Sequence, residues 1–461
     1  MPESPQQSAS LYDVVVLGAG PAGEVIAGRL AEAGRSVCLV EGDLVGGECS
    51  YYACMPSKAL LRPQEILREI RRIPGAAEAV TGELDVAAAL RRRDEVIHNR
   101  DDSAQLGWLQ KRGIELVRGH GVLDGERRVR VADRVLGARE AVVLAVGSGA
   151  AMPPIPGLAE SGAWTNREAT TASEAPAELL ILGGGVVGVE LAQAWSSLGA
   201  RVTIVEAVDR LLAREEPFAG EQVADCFKEL GIDVRLGIPA AAVRREGDRM
   251  VLELEDGAVL SADRLLVAVG RRPHTDDLGL DSVGLEPGQN VEVDDHMRVP
   301  GRDWLYAVGD VNGRALLTHM GKYQARIAAD NILGTDATLQ LDGIRSPRVI
   351  FSDPQVAAVG HTLASASEAG ISARHVDLDT SSTAGASFHG RNAPGTTRFV
   401  VDADREILAG VTFVGPEVAD FLQAATIAVV GEVPLRRLVH AVAPFPTRSE
   451  LWLRFIEGYG I

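Results

Sequence analysis

The chain of 461 residues is poor in several features, and each shortage excludes a class of protein. It has only four cysteines, so a framework of structural disulfides is excluded, and a cysteine pair in a reducing compartment is more readily catalytic. No stretch approaches the roughly 18 apolar residues that a membrane span requires. The first residues also lack the positive start and apolar run of a signal peptide. We therefore expect a cytoplasmic protein without a membrane span.

Positive charge is the second shortage. The chain has 46 lysines and arginines against 64 aspartates and glutamates, which gives a formal net charge of −18 at pH 7. A negative field repels phosphates, so nucleic acid and acidic membrane surfaces are not expected as partners. Only four of the basic residues are lysines, which makes Lys58 stand out. With 50 glycines and 46% hydrophobic residues, the length predicts an α/β protein of about three domains.

The first clear pattern is a strand, a tight glycine turn and a helix near the N-terminus. A β-branched run over residues 12–17 leads into Gly18, and an alanine-rich amphipathic segment follows. In such a fingerprint Gly18 allows the turn, Gly20 lets the backbone approach a pyrophosphate, and Gly23 lets the helix pack on the strand. The next strand ends at Glu41, whose carboxylate is suited to ribose hydroxyls. A dinucleotide site is therefore predicted here.

The same pattern occurs a second time in the middle of the chain. An apolar strand leads into the glycines of a second fingerprint, Gly183, Gly185 and Gly188, and a helix follows. The next strand ends at Glu206, which accepts from a ribose hydroxyl and repels a 2′-phosphate, so NAD is favoured over NADP. The nearby Arg201 and Arg210 keep NADP open as the alternative.

Cys49 and Cys54 lie in a short stretch after the first fingerprint, separated by four residues and followed by Lys58. A first helical turn that brings the two sulfurs together would make a redox switch, while the structural alternative is two buried thiols that happen to be close. Lys58 lies one turn beyond Cys54, where its ammonium favours a thiolate, and only the thiolate attacks a disulfide. The alternative for Lys58 is a surface salt bridge. No residues are assigned to a metal.

Three further segments complete the pattern. The sequence is helical in character from Lys58 to about Lys111, and the arginines at 91–93 are expected on a solvated helix face. Residues 141–148 predict a buried strand that ends in a small-residue turn with Gly147. Beyond about Pro347 the dinucleotide patterns stop, and the remainder predicts an antiparallel sheet with helices.

Taken together, these motifs resemble the FAD-dependent pyridine nucleotide-disulfide oxidoreductases, the family of dihydrolipoamide dehydrogenase, glutathione reductase and mercuric reductase. The resemblance covers nearly the whole chain. It implies an α/β fold with two Rossmann-like dinucleotide-binding domains, for FAD and NAD, and a C-terminal α+β dimerisation domain. The implied division is 1–156 and 273–345 for FAD, 157–272 for NAD(P), and 346–461 for dimerisation. The motifs that carry the resemblance are the first fingerprint with Glu41, the Cys49-x4-Cys54-Met-Pro-Ser-Lys58 stretch, the second fingerprint with Glu190, Gly270-Arg271-Arg272-Pro273 and Ala307-Val308-Gly309-Asp310.

The resemblance also implies roles for individual residues. Cys54 would lie against the flavin of FAD and Cys49 would meet the substrate, while Lys58 would pair with Glu190 beside the flavin. NAD(H), with NADP(H) less favoured, would reduce the flavin. A homodimer would let each C-terminal tail reach the partner's active site. The remaining candidates are Asp310 at the ribitol of FAD, Gly147, Gly270 and His319 as further cofactor contacts, and Glu450 as a catalytic residue.

One position departs from the family pattern. The disulfide-reducing members carry His-Pro-Thr-x-Ser-Glu near the C-terminus, but this chain has Phe445 where the histidine acts as general acid/base, and keeps Glu450. A positioned base typically contributes about 10²–10⁴ in rate, so dihydrolipoamide dehydrogenase activity is disfavoured, with His440 as a possible substitute.

The acceptor therefore stays open. It is a small-molecule disulfide with an acidic leaving thiol, a quinone or a metal ion, although mercuric reductases keep a C-terminal cysteine pair that this tail lacks. A non-catalytic flavoprotein that senses redox state is the alternative from another class.

Overall fold

The computed structural model describes residues 10–390 and 393–461, and its contacts divide the chain into two compact units. The first unit contains the described residues up to Pro56, together with Asp94–Ala150 and Arg271–Gly343. The second unit contains Ser57–Arg93, Ala151–Gly270 and the described part of Ile344–Ile461. Each unit is described by itself below.

The elements of both units follow in chain order. The strands are β1 (Ser10–Leu17), β2 (Val37–Glu41), β3 (Glu115–Arg118), β4 (Gly121–Leu123), β5 (Arg128–Val131), β6 (Arg134–Leu144), β7 (Ser148–Ala150), β8 (Glu178–Leu182), β9 (Arg201–Val205), β10 (Asp233–Arg235), β11 (Ala240–Glu246), β12 (Arg249–Leu254), β13 (Val259–Ala262), β14 (Arg264–Val267), β15 (Arg271–Pro273), β16 (Leu305–Ala307), β17 (Arg348–Ile350), β18 (Gln355–Gly360), β19 (Ala373–Asp379), β20 (Thr396–Asp402) and β21 (Ile407–Gly415). The α-helices are α1 (Pro21–Glu32), α2 (Gly47–Tyr51), α3 (Cys54–Arg72), α4 (Val86–Val96), α5 (Ser103–Lys111), α6 (Asn166–Thr171), α7 (Val186–Ser197), α8 (Pro217–Glu229), α9 (Thr318–Ile332), α10 (Leu363–Glu368), α11 (Leu422–Val430), α12 (Leu435–Leu438) and α13 (Glu450–Tyr459). Short 3₁₀ helices lie at Ala77–Ala79, His98–Arg100, Leu280–Val283, Asp310–Asn312, Gly343–Arg345, Gly385–His389 and Val418–Phe421.

The first unit is built on a sheet with the strand order β3-β2-β1-β6-β5-β4, and β16 also pairs with β6. The central strand β1 is parallel to both of its neighbours, and its apolar run is buried on both faces. Val14 and Val16 belong to one hydrophobic cluster, while Val15 and Leu17 belong to another. This alternation explains why β1 is a continuous apolar run, because a parallel strand is covered by helices or sheet on both faces.

The second unit contains the repeat of that pattern. Four parallel strands follow the order β10-β9-β8-β14, and the glycine turn after β8 leads into α7. Helix α7 packs its apolar face on this sheet, with Trp195 fully buried in the cluster. An antiparallel meander of β11, β12 and β13 accompanies this sheet.

The C-terminal part of the second unit is a five-stranded antiparallel sheet with the order β17-β18-β21-β20-β19. Its core is aromatic: the ring of Phe399 stacks on Phe455 of α13 at a centroid distance of 4.3 Å and meets Phe413 edge-on at 5.9 Å. The prediction of an antiparallel sheet with helices beyond Pro347 is confirmed. Among the described helices, none is long and apolar enough to cross a membrane.

The expectation for the arginine run on α4 is wrong at one position. Arg91 and Arg92 are exposed, but Arg93 is 1% exposed. Its guanidinium donates to the carbonyl oxygens of Thr170 at 2.7 Å and Ala172 at 2.9 Å. These carbonyls lie at the C-terminal end of α6, where helices leave acceptors unsatisfied, so the buried cation is compensated by hydrogen bonds and by the helix dipole.

Candidate active site

The two cysteines of the redox stretch come together in the first unit. Cys49 lies in the single-turn helix α2 and Cys54 begins α3, and the two partly buried thiols, which are not joined by a disulfide, are hydrogen-bonded to each other. The Sγ atom of Cys54 also lies 3.4 Å from the hydroxyl oxygen of Thr318, the first residue of α9. The two sulfurs are thus close to each other, as both the redox pair and the structural alternative of two neighbouring buried thiols require.

The pKa of the Cys49 thiol is raised well above its usual range. The largest cause is the hydrogen bond to Cys54, and burial and the negative charge that Cys54 can carry add to it. Thr318 and Lys322 lower the pKa of Cys49, but by less than these effects raise it. In the reduced pair, the proton of Cys49 is therefore held more tightly than that of an ordinary thiol.

Lys58 and Glu190 form an ion pair in the second unit. The Nζ atom of Lys58 lies 2.5 Å from Oε2 of Glu190, which is on α7 and only 3% exposed. The other carboxylate oxygen of Glu190 accepts the backbone N–H of Phe351 at 3.0 Å, and the ammonium of Lys58 lies 4.9 Å from the centre of the Phe351 ring. The predicted pair is thus present, and it is buried on the glutamate side.

The first fingerprint has the geometry of a phosphate cradle. Gly18 has a φ of +97°, and a Cβ atom there would lie 2.4 Å from the carbonyl oxygen of Ala145, so this position needs glycine for the fold itself. Gly20 is different, because a Cβ atom there would meet no protein atom within 4 Å. Gly20 is the N-cap of α1, and open space at a helix N-terminus suits a pyrophosphate. The residues therefore fit FAD in the orientation that such fingerprints use.

Glu41 and Glu206 play the same structural part in the two fingerprints. Glu41 accepts the N–H of Ala19 at 2.7 Å with one carboxylate oxygen and the N–H of Asp43 at 2.7 Å with the other. Glu206 likewise accepts the N–H of Gly184 at 2.5 Å and that of Val208 at 3.0 Å. Each carboxylate thus holds its own glycine turn, a role that the sequence reasoning did not anticipate.

The second fingerprint repeats the contrast between tight and open glycines. A Cβ atom at Gly188 would lie 2.0 Å from the carbonyl oxygen of Gly183, whereas at Gly185, the N-cap of α7, it would meet nothing within 4 Å. The open position again faces the start of a helix. The donor set therefore fits a second dinucleotide.

Asp310 lies in a small polar cluster of the first unit. Its Oδ2 atom accepts the hydroxyl of Ser148 at 2.6 Å, and the guanidinium of Arg271 donates to the same hydroxyl at 2.7 Å. Gly147 precedes Ser148, so two predicted cofactor residues are brought together by a serine that the sequence reasoning missed. His319 follows Thr318 at the start of α9 and is exposed.

Gly270 lies in the second unit with a φ of +148°, and its carbonyl oxygen accepts the N–H of Ala151 at 2.9 Å. A Cβ atom at Gly270 would meet no protein atom within 4 Å. The positive φ favours glycine at this position, independently of any cofactor.

The C-terminal tail places its candidate residues at or near the surface of the second unit. Phe445 is 77% exposed and His440 is exposed as well. Glu450 begins α13 and accepts the N–H of Ala384 at 2.9 Å. Val442 in the same tail is 86% exposed, so two apolar side chains of this tail face outwards.

One group of side chains in the second unit has donor atoms close enough for a metal. Among the described residues, Glu69, His389 and Glu417 each offer one atom within 4.8 Å of the others. The Nδ1 atom of His389 lies 3.6 Å from Glu417, a distance at which an ion pair also accounts for the arrangement.

Two models of one protein family match most of this chain. The pyridine nucleotide-disulphide oxidoreductase family model matches residues 12–328, and the dimerisation domain of that family matches residues 346–454. The chain belongs to this family. Its members are FAD-dependent oxidoreductases that use pyridine nucleotides. The predicted architecture of two dinucleotide-binding domains and a C-terminal dimerisation domain is confirmed.

Two relatives of different activity and one solved structure resemble the chain over nearly its whole length. Mercuric reductase of Shigella flexneri is 34% identical over 460 residues, covering 96% of this chain and 80% of that protein. Dihydrolipoyl dehydrogenase of Chlorobaculum tepidum is 33% identical, covering 96% of each chain. The Cu(II) complex of RclA from Escherichia coli, an HOCl-induced flavoprotein disulfide reductase, has a TM-score of 0.84 at 25% identity, covering 97% of this chain and 99% of that one.

Proposed function

We propose that this protein is an FAD-dependent oxidoreductase that takes a hydride from NADH and passes the electrons through Cys54 and Cys49 to a disulfide-type acceptor. The observation that most supports the proposal is the hydrogen-bonded cysteine pair at the start of α3, directly after a fingerprint that fits a pyrophosphate. Bound FAD would supply the two-electron chemistry that links hydride transfer from NADH to reduction of the Cys49–Cys54 disulfide.

The two sulfurs have different tasks in this proposal. Cys54 ionises first, because the raised pKa of Cys49 keeps the proton there, and the Thr318 hydroxyl can donate to the Cys54 thiolate. The Lys58 ammonium, one helical turn later, favours that negative charge. Cys49 then attacks the acceptor disulfide as its thiolate: one S–S bond breaks, a mixed disulfide with Cys49 forms, and the leaving sulfur takes the proton that Cys49 gives up. Attack by the Cys54 thiolate on that mixed disulfide restores the internal disulfide and releases the second sulfur as a thiolate, which takes a proton from water.

The coenzyme follows from Glu206. Both oxygens of its carboxylate are held by backbone N–H groups of the second fingerprint, so the negative charge is fixed where a 2′-phosphate would lie. Arg210 does not offset this charge directly, because its guanidinium donates to the carbonyl oxygen of Ala213. These contacts support NADH over NADPH.

The acceptor is constrained by Phe445. With a phenyl ring in place of a proton-shuttling imidazole, a disulfide acceptor needs a leaving thiol acidic enough to depart unaided. A metal ion or quinone is the second candidate; the chain is about as similar to a mercuric reductase as to a dihydrolipoyl dehydrogenase, so similarity does not choose between the acceptors. A redox sensor without turnover is a third reading.

The assembly that we propose is a cytoplasmic homodimer. The match of residues 346–454 to a dimerisation domain and the exposed apolar side chains of the tail, such as Val442 and Phe445, support it. We also propose the division into 1–156 and 273–345 for FAD, 157–272 for NAD(P) and 346–461 for dimerisation. Glu450, His319 and the fingerprint glycines keep the roles assigned to them above.

An acceptor screen tests the proposal. NADH oxidation by the FAD-loaded protein is measured with aromatic disulfides, dihydrolipoamide's oxidised form, quinones and metal ions, in parallel with Cys49→Ser. We expect turnover with at least one acceptor and a loss of at least about 100-fold in the variant, because Cys49 is the thiol that attacks the acceptor in this proposal. Undiminished turnover in Cys49→Ser would show direct reduction that bypasses the cysteines. Bound FAD with no turnover of any acceptor would favour the sensor.

A further inference from the structure

The segment Phe351–Asp353, between β17 and β18, holds two neighbouring side chains of α7. The N–H of Phe351 donates to Oε1 of Glu190 at 3.0 Å, and the N–H of Asp353 donates to Oε1 of Gln193 at 2.8 Å. Glu190 and Gln193 are three residues apart on the helix, so they lie on one face, and they are 3% and 1% exposed. Two backbone donors of the segment are therefore matched to two buried acceptors of α7.

The same segment is tied to α3 at its other side. The carboxylate of Asp353, which is 5% exposed, is 2.8 Å from Nε of Arg68 and accepts from Arg72 at 2.9 Å with each oxygen. Helix α3 is also the helix that carries Lys58. The contacts thus form a closed ring, which runs from Lys58 to Glu190, through the segment to Asp353, and back to α3 through the two arginines.

This ring of contacts determines which carboxylate oxygen of Glu190 contacts Lys58. One carboxylate oxygen is occupied by the N–H of Phe351, which leaves Oε2 for Lys58 at 2.5 Å. The ring of Phe351 also lies 4.9 Å from the ammonium of Lys58, so one residue of the segment orients both members of the pair. If the segment shifted, the buried carboxylate would lose a donor and could rotate away from the lysine.

We propose that Asp353 and Gln193 are positioning residues that fix the Lys58–Glu190 pair through the segment Phe351–Asp353. The inference rests on the proposed function, together with the role beside the flavin that the family resemblance implies for this pair. Asp353 and Gln193 make no contact with the reacting groups themselves in this scheme. They act by holding the two backbone donors in place, since a displacement of about 1 Å in a positioned group can lower a rate by about 100-fold.

The test uses graded variants of the FAD-loaded protein. Gln193→Leu removes one acceptor, Asp353→Ala removes the anchor to both arginines, and Asp353→Asn keeps an acceptor oxygen. The rate of flavin reduction by NADH is followed by rapid mixing, together with the long-wavelength absorbance of the two-electron-reduced form and the flavin midpoint potential. We expect Gln193→Leu and Asp353→Ala to slow flavin reduction by about 10- to 100-fold and to alter the absorbance band. Asp353→Asn should recover most of both.

Glu215→Gln is the matched control. Glu215 is 7% exposed and binds Arg348 through both carboxylate oxygens, at 2.6 and 2.8 Å, so it is also a buried acid paired with arginine, but its partner lies outside the segment. It should lower the melting temperature without changing the band, the potential or the reduction rate. If Gln193→Leu and Asp353→Ala matched the control in all three, the positioning role would be refuted.

A fifth variant separates the inference from the proposed function. Glu190→Gln removes the carboxylate charge that the ring of contacts positions. If Glu190→Gln changes the band and the reduction rate while the segment variants do not, the inference fails and the proposed function stands. If Glu190→Gln also has no effect, the pair does not act on the flavin, and the proposed function fails at that point. Should Asp353→Ala not fold, Gln193→Leu decides the question, since it removes one acceptor of the segment and leaves the arginine contacts of Asp353 in place.

Discussion

Replacing Glu24 with glutamine should make the protein more stable at neutral pH but not at acidic pH. Glu24 lies in the first turn of α1, directly after the last glycine of the first fingerprint. Burial raises the pKa of its carboxyl from 4.5 to about 7; the nearby Lys322 lowers it, and the charge of Glu41 raises it further. A helix N-terminus ordinarily stabilises a carboxylate by up to about 1 kcal/mol, so the loss of hydration outweighs the helix dipole here.

The magnitude and its sign follow from that pKa. The difference between 4.5 and about 7 corresponds to about 3 kcal/mol, at about 1.4 kcal/mol per pH unit. Below pH 4.5 the carboxyl is protonated in both the folded and the unfolded chain, so it does not penalise folding. As the pH rises, the unfolded chain ionises first, and the free energy of unfolding falls until the folded carboxyl has also ionised, above about pH 7. Glutamine has no proton to lose and avoids this decrease.

Denaturant unfolding of the wild type and Glu24→Gln at several pH values between 4 and 8 measures the effect. The two curves should coincide near pH 4, and the variant should be more stable by about 1–3 kcal/mol at pH 8. Glu32→Gln is the control; this residue lies at the C-terminal end of the same helix, in a surface pair with Arg112. Its difference in free energy of unfolding from the wild type should not grow comparably with pH. The reasoning would be refuted if the stability difference between Glu24→Gln and the wild type were constant with pH, or if it were larger below pH 4.5 than at pH 8.

Three further predictions concern the chemistry. Cys54→Ser should abolish a long-wavelength charge-transfer band of the partly reduced protein, measured by anaerobic titration, and survival of the band would mean that the roles of the two sulfurs are reversed. The kcat/KM for NADH should exceed that for NADPH, and Glu206→Gln should lower the NADH value by about tenfold, because it removes both a charge and an acceptor of the turn; a native preference for NADPH would show that Arg201 or Arg210 dominates. Phe445→His should raise dihydrolipoamide activity only modestly from a weak wild-type level, and robust wild-type turnover would mean that water or His440 supplies the proton path.

The parts of the site that the sequence predicts are those built from neighbouring residues. Strand, turn and helix follow within about 25 residues in each fingerprint, so Gly18 and Glu41 can be placed from spacing alone. Cys54 and Lys58 lie within one turn of one helix, and their relation follows from helical periodicity. In each case the physical constraint acts over a short stretch of chain, which is why its residue pattern is visible.

The parts that the sequence does not predict join residues that are far apart in the chain. The buried Arg93 finds its acceptors at Thr170 and Ala172, and nothing in a run of three arginines distinguishes the one that is buried. Thr318 reaches Cys54 across a separation of 264 residues. A threonine at the start of a predicted helix is an ordinary N-terminal residue, so only the tertiary fold shows that its hydroxyl contacts a sulfur of the cysteine pair.

The contacts that set the pKa of the Cys49 thiol also bear on the choice of acceptor. Cys54 and burial keep the proton on Cys49, while Thr318 and Lys322 oppose them without prevailing. An acceptor must therefore either draw Cys49 into its thiolate form or be reactive enough for the small ionised fraction to suffice. A thiophilic metal ion does the first, because metal binding displaces the thiol proton directly, and a disulfide with an acidic leaving thiol does the second. Phe445 adds no base to either route, so the proposed function favours acceptors for which the enzyme does not need one.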